Sequence, residues 1–185
     1  MTKNTQKEKS LNLPNILAAF RVLLAPLMLW FMVDQSNPIF DGWHPSWFDY
    51  FAGLIFVVAS VTDFFDGYIA RSWNQMTKLG SILDPLADKM LVLAGFIGLL
   101  VLDRASAFAI FLILSREMFI TGLRVVAVSE GKSVASTMAG KVKTVVQMIA
   151  IGFLIMNWPF GSEILWIATA LTLYSGYEYI RDYLK

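Results

Sequence analysis

The chain has 185 residues, 57% of them hydrophobic, and a mean hydropathy of +0.60, which is too apolar for an ordinary soluble domain. Its 15 Lys and Arg against 14 Asp and Glu leave it almost neutral, so no nucleic-acid partner is expected and the placement of charges carries the information. Cysteine is absent, which excludes disulfides and thiolate metal sites; any metal must be held by oxygen or nitrogen.

Residues 1–13 begin with MTKNTQKEKS and read as a polar, solvated tail, and Asn12 and Pro14 supply a cap and a first-turn proline for the first helix. A basic start followed by an apolar run also fits a signal peptide. No small-residue cleavage site follows, however, and five further spans do, so the first helix is expected to stay. Runs long enough to cross about 30 Å of hydrocarbon lie at 14–33, 47–71, 81–102, 104–128, 139–157 and 161–181. The expected fold is therefore an all-α integral membrane protein of six transmembrane helices, with residues 14–185 forming one membrane domain. Its chemistry must use helix ends and the helix bundle itself.

Orientation follows from the connections. Lys3, Lys7, Lys9, Arg71, Lys78, Lys132, Arg181 and Lys185 fall on one side of the six-span arrangement, and only Arg104 on the other. The positive-inside rule then places both termini in the cytoplasm, with the connections at 34–46, 103 and 158–160 outside. Trp43, Trp47, Tyr50 and Trp158 read as interfacial anchors, and His44 as a residue of the external surface. Six more cations, Arg21, Lys89, Arg116, Arg124, Lys141 and Lys143, lie inside the spans, mostly in their cytoplasmic halves. Those near helix ends can snorkel, but Arg116 is deep in span four, which implies a polar chamber opening to the cytoplasm.

The most informative pattern is Asp63-x2-Asp66-Gly67-x2-Ala70-Arg71-x8-Gly80-x3-Asp84-x3-Asp88. At about 100° per residue, Asp63, Asp66, Gly67, Ala70 and Arg71 occupy an arc of roughly 140° on span two, and Gly80, Asp84 and Asp88 share a face of span three. Asp63 and Asp88 each lie eight residues from the cytoplasmic turn, about 12 Å along antiparallel helices, so the two carboxylate pairs are expected to face each other. Four such groups cannot all stay ionised in low dielectric without a countercharge. Two divalent cations cancel them, and hard oxygen donors favour Mg²⁺ or Mn²⁺, a metal pair suited to displacement at phosphorus. The small residues Gly67, Ala70 and Gly80 leave room for a bulky ligand or, equally, for tight helix packing.

This pattern resembles the signature of the CDP-alcohol phosphotransferase family, with every fixed position present. The resemblance implies six transmembrane helices, a homodimer in the cytoplasmic membrane with its site facing the cytoplasm, and two metals on Asp63, Asp66, Asp84 and Asp88. It also implies a CDP-linked lipid held near Asp66, Gly67, Ala70, Arg71 and Gly80. Outside the signature, Asn12-Leu13-Pro14-Asn15 leading to Arg21, Arg116-Glu117 with Thr121-Gly122-Leu123-Arg124, and Gly140-Lys141-Val142-Lys143-Thr144 with Gln147 are similar to the bacterial phosphatidylglycerophosphate synthase branch. That branch implies transfer of the phosphatidyl group of CDP-diacylglycerol to glycerol 3-phosphate. Ala18 departs from it, standing where threonine is usual, which puts in doubt any hydroxyl contact made there.

The acceptor reading has a chemical basis of its own. Glycerol 3-phosphate brings about two negative charges and needs a cationic pocket, for which Arg116, Arg124, Lys141 and Lys143 are the candidates. Arg116 and Arg124 differ by about 80° around a helix and can face one chamber; Lys141 and Lys143 differ by about 200° and are not expected to point inward together. Asp88 is the suggested general base for the attacking hydroxyl, assisted by metal. Other acceptors (inositol phosphate, serine, phosphatidylglycerol), a membrane prenyltransferase and a divalent-cation carrier stay open at this point.

Overall fold

The structure, a computed structural model, describes residues 13–72, 78–131 and 138–184; the side chains at 13–14, 64–72, 78–82 and 84–85 lie outside that description. Among the described residues there are six α-helices and no strand: α1 Leu13–Val33, α2 Ser46–Ser72, α3 Lys78–Val101, α4 Ala107–Ser129, α5 Met138–Ile155 and α6 Gly161–Tyr183. The all-α expectation holds. The proposed cap Asn12 lies outside the described residues.

Two boundaries differ from expectation for identifiable reasons. The connection between α3 and α4 runs from 102 to 106, because Asp103 takes a left-handed conformation and the side chain of Ser106 caps α4 by accepting from the Ala109 N–H at 3.4 Å. Arg104 is thereby left out of the helix, and its Nη1 donates to the Ile155 carbonyl at 2.7 Å, satisfying an orphan group at the end of α5. Helix α3 starts at Lys78, three residues before the expected 81, which makes Pro85 its eighth residue. Proline removes one N–H there, a loss that membrane helices tolerate when neighbours supply the missing partner.

Apolar side chains cover the outside of the helices. Phe20, Leu23, Leu54, Val57, Phe108, Phe111, Ile167 and Leu173 are all exposed although they sit in helix interiors. Water would penalise that surface at about 25 cal/mol per Å², whereas acyl chains do not, so the chain is membrane-associated. By length and apolar content alone, Asn15–Val33 and Met138–Ile155 suffice to cross a bilayer among the described residues. The remaining helices are as long, but they carry most of the ionisable groups singled out above.

The chain forms two compact units, Met1–Gly95 and Phe96–Lys185. In the first, α1 packs along α2, and small residues on both helices, Ala18 and Ala25 on α1 and Ala52 and Ala59 on α2, are fully buried or nearly so. At the end of this seam Trp30, Phe31, Phe40, Trp43, Trp47, Phe48 and Phe51 form one aromatic cluster with ring centroids 5.1 to 6.1 Å apart. Asp34 ties the turn below it, accepting from Trp30 Nε1 at 3.0 Å and Asn37 Nδ2 at 2.8 Å. Those donors, Asn37 first, hold its carboxyl below the usual aspartate range. Nearby, Gly42, Trp43, His44, Trp47 and Phe51 line a cleft of about 400 Å³. His44 Nδ1 accepts from the Ser46 N–H at 3.3 Å, so His44 stabilises the start of α2.

In the second unit, α6 packs on both α5 and α4. Gly161 opens α6 against the end of α5, where a Cβ would lie 2.8 Å from Leu154 Cδ2, so a larger residue would force the Leu154 side chain to shift. Three contacts join α4 to α6 in the same sequence order: Arg116 to Ser175, Arg124 to Tyr179, and Glu130 to Tyr183. The two helices therefore run parallel. The Gly161 contact, which sets the start of α6 on the end of α5, makes α5 run the other way, the up-down-up order that three successive crossings require.

Candidate active site

Within the first unit, α2 carries Asp63, Asp66, Gly67, Ala70 and Arg71 in its second half, and α3 carries Gly80, Asp84 and Asp88 in its first half. Asp63 has a partner that the sequence spacing did not reveal: Arg21 Nη1 of α1 donates to its Oδ1. Arg21 is fully buried, whereas the Asp63 side chain is 38% exposed, so the pair joins a sealed cation to a carboxylate that solvent or a ligand still reaches. Asp88 is half-buried beside the fully buried Ala87 and Leu91. The side chains of Asp66, Arg71 and Asp84 lie outside the described residues, as does any feature of the CDP-lipid candidates Gly67, Ala70 and Gly80 beyond their place in the helices. Among the described residues no three acids or histidines gather into one group.

The donor chemistry fits a divalent cation. Arg21 engages Oδ1 of Asp63, and the carboxylate is not sealed from solvent, so it can still offer a hard oxygen. A buried arginine on one side supplies Asp63 with a countercharge inside an apolar helix pair.

The second unit assembles the cations. Lys143 of α5 is buried and pairs with Oε1 of Glu117 on α4, and the same oxygen accepts from Arg116 Nη1 at 3.2 Å. Arg116 Nη2 donates to Ser175 Oγ of α6 at 3.0 Å. Its stem runs over Gly176, where a Cβ would meet Arg116 Cγ and Nε at 3.1 Å, so glycine makes the channel that the guanidinium occupies. Arg124 lies 5.9 Å from the centre of the Tyr179 ring, within cation–π range. Lys141, about 200° from Lys143 on the same helix, is exposed on the opposite face. The structure thus brings Arg116, Lys143 and Glu117 together, sets Arg124 further along α4, and turns Lys141 away.

Buried polar atoms complete the picture. Arg116 Nε, Gln147 Nε2, Glu178 Oε2 and Tyr179 Oη are all shielded from solvent and have no hydrogen-bond partner among the described residues. Leaving one such group unmade costs about 1 to 3 kcal/mol, so each of them is a position where gaining a polar partner would be stabilising.

Comparison with known proteins bears directly on what that is. The sequence profile of CDP-alcohol phosphatidyltransferases matches residues 11–174. The chain belongs to that family. It is therefore a phosphatidyltransferase of phospholipid synthesis, and the prenyltransferase and cation-carrier readings lapse. Members of the family are generally divalent-metal dependent, in keeping with the carboxylate donors of α2 and α3. The chain is 38% identical over 188 residues to a CDP-diacylglycerol–glycerol-3-phosphate 3-phosphatidyltransferase of Bacillus subtilis (strain 168), covering 91% of this chain and 93% of the relative. Proteins of the same name from Rickettsia felis, 38% identical over 180 residues with 92% and 94% covered, and Shigella flexneri serotype 5b, 38% identical over 180 residues with 91% and 93% covered, are similarly related.

Three residues with contacts at these sites had no role assigned from sequence: Arg21 and Glu117, present only as motif residues, and Ser175. Arg21 and Glu117 gave a weak signal, charges inside apolar spans, which demand partners. Ser175 gave none.

Proposed function

We propose that this phosphatidyltransferase moves the phosphatidyl group of CDP-diacylglycerol to glycerol 3-phosphate, forming phosphatidylglycerophosphate and CMP. The observation that carries the acceptor assignment is the buried Lys143–Glu117–Arg116–Ser175 cluster, which a neutral alcohol would not need. The three relatives named above bear that acceptor in their names.

Asp63, Asp66, Asp84 and Asp88 would hold the divalent metals, two Mg²⁺ or Mn²⁺ balancing four carboxylates. When bound, the metals supply neutralisation of the pyrophosphate and Lewis-acid polarisation of the phosphorus nearest the lipid. Arg21 fixes the rotamer of Asp63 through Oδ1 and gives that carboxylate a countercharge. Asp66, Gly67, Ala70, Arg71 and Gly80 hold the CDP moiety, the small residues by letting it lie against the helix backbones and Arg71 by pairing with a phosphate oxygen. Arg116, Arg124 and Lys143 take the phosphate of glycerol 3-phosphate, and Lys141 reaches the headgroup layer instead. Asp88 accepts the proton of the acceptor hydroxyl on a carboxylate oxygen as the hydroxyl oxygen bonds to the lipid-side phosphorus. The bond from that phosphorus to the bridging oxygen breaks, and CMP leaves with the electron pair.

The proposal includes six membrane crossings with both termini in the cytoplasm, a site open to the cytoplasmic side of the inner membrane, and a homodimer. The alternating directions of α4, α5 and α6 and the apolar outer faces support it. Purified protein given CDP-diacylglycerol, Mg²⁺ or Mn²⁺ and a panel of alcohols should release CMP with glycerol 3-phosphate alone. Release with serine or inositol phosphate at comparable kcat/KM would refute the acceptor assignment.

A further inference from the structure

Glycerol 3-phosphate carries two hydroxyls, and only one of them attacks phosphorus. Its phosphate has the cations of α4 and α5, but the spectator hydroxyl must also leave water when the acceptor binds, and it needs a partner or costs affinity. Gln147 and Tyr179 are 5% and 4% exposed, and Gln147 Nε2 and Tyr179 Oη have no hydrogen-bond partner among the described residues. Both share a helix face with the acceptor cluster. Gln147 stands one turn beyond Lys143 on α5, offset by about 40°, and Tyr179 stands one turn beyond Ser175 on α6, the residue that receives Arg116. The Tyr179 ring also supports the guanidinium of Arg124.

We infer that Gln147 and Tyr179 are specificity-determining residues that hydrogen-bond the non-reacting hydroxyl of the acceptor, so that the enzyme selects a phosphorylated vicinal diol over a phosphorylated alcohol without that hydroxyl. The inference rests on the proposed reading that Arg116 and Lys143 hold the acceptor phosphate. Its physical basis is the asymmetry of buried hydrogen bonding. A donor already stripped of water gains fully from the right hydroxyl, and stays unpaired when a ligand without it binds. An apolar side chain in either place would bind the two acceptors alike.

The test compares glycerol 3-phosphate with propane-1,3-diol monophosphate, which keeps the phosphate and the attacking primary hydroxyl and lacks the secondary one. The wild-type enzyme in detergent should prefer glycerol 3-phosphate by roughly tenfold or more in kcat/KM. Gln147→Met and Tyr179→Phe keep size and shape, and each should reduce that preference to about threefold or less, mainly by raising KM for glycerol 3-phosphate. Ki for inorganic phosphate as a competitor should stay unchanged. A wild-type enzyme that does not discriminate overturns the inference without any variant, and so does an equal loss with both acceptors in folded variants. Lys143→Met separates the underlying reading, since it should raise KM for both acceptors and Ki for phosphate together while preserving their ratio. If it moves none of these, the phosphate binds elsewhere and both proposals fall. A normal Lys143 response with undiminished discrimination in Gln147→Met and Tyr179→Phe overturns the present inference alone.

Discussion

Removing Asp63 and removing Arg21 should have unequal effects on stability, because one partner of the pair is sealed and the other is not. Arg21 is fully buried and the Asp63 side chain is 38% exposed. Asp63→Ala leaves a guanidinium in an apolar seam without its anion, a change that costs about 3 to 5 kcal/mol in buried pairs. Arg21 has a further interaction, which places the expected loss near the lower figure, about 3 kcal/mol. Arg21→Met instead leaves a carboxylate that solvent reaches, and the long apolar stem is replaced by one of similar size, so about 1 kcal/mol is expected. For a chain of this length those losses correspond to falls in Tm of roughly 6 to 12 °C and 2 to 4 °C. The double variant should recover most of the Asp63→Ala loss, since no charge is then stranded. Thermal unfolding of detergent-purified protein, followed by helical circular dichroism, measures all three. Equal losses in the two single variants, or no recovery in the double, would refute the account of Arg21 as a buried cation dependent on Asp63.

Asp88→Asn should fold and bind nucleotide yet lose turnover by about a hundredfold or more, as expected for a general base, measured by CMP release alongside nucleotide binding. Chelation should abolish CMP release, and added Mg²⁺ or Mn²⁺ should restore it; full activity in chelator would exclude the metal role of the four aspartates. Lys143→Met should raise KM for glycerol 3-phosphate by about tenfold or more through loss of a charge-assisted contact, whereas Lys141→Met should change it by less than about threefold, as steady-state kinetics will report. Asp34 has its carboxyl held below the ordinary range by Asn37 and Trp30, so its contribution is present above the unfolded-state value and disappears as pH falls through the depressed folded-state value. The stability gap between wild type and Asp34→Asn should therefore be constant from neutral pH down to about pH 4 and close below it, read by thermal unfolding across pH.

Helix positions were legible because apolar runs of this length have few other uses. The expected spans at 14–33, 47–71, 139–157 and 161–181 each fall within two residues of α1, α2, α5 and α6. The start of α4 was misjudged because Arg104 and Ala105 continue an acceptable helical pattern, and only the capping of α4 by Ser106 together with the reach of Arg104 to Ile155 shows that the chain turns there. Asp63, Asp66, Asp84 and Asp88 do fall on helices α2 and α3, as their spacing led one to expect.

Local spacing thus determined which residues could act together on one helix: the aspartates with their small neighbours, the inward pairing of Arg116 with Arg124, and the opposition of Lys141 to Lys143. Which way each helix turns about its axis, and which distant residue meets it, depends on packing between segments far apart in the chain. Arg21 and Asp63 are 42 positions apart, Glu117 and Lys143 26, and Arg116 and Ser175 59. Those pairings, the choice of Lys143 over Lys141, and the stranding of Gln147 Nε2 and Tyr179 Oη were decided by tertiary structure alone, because helical periodicity sets angles within a segment and leaves the rotation between segments free until side chains interlock.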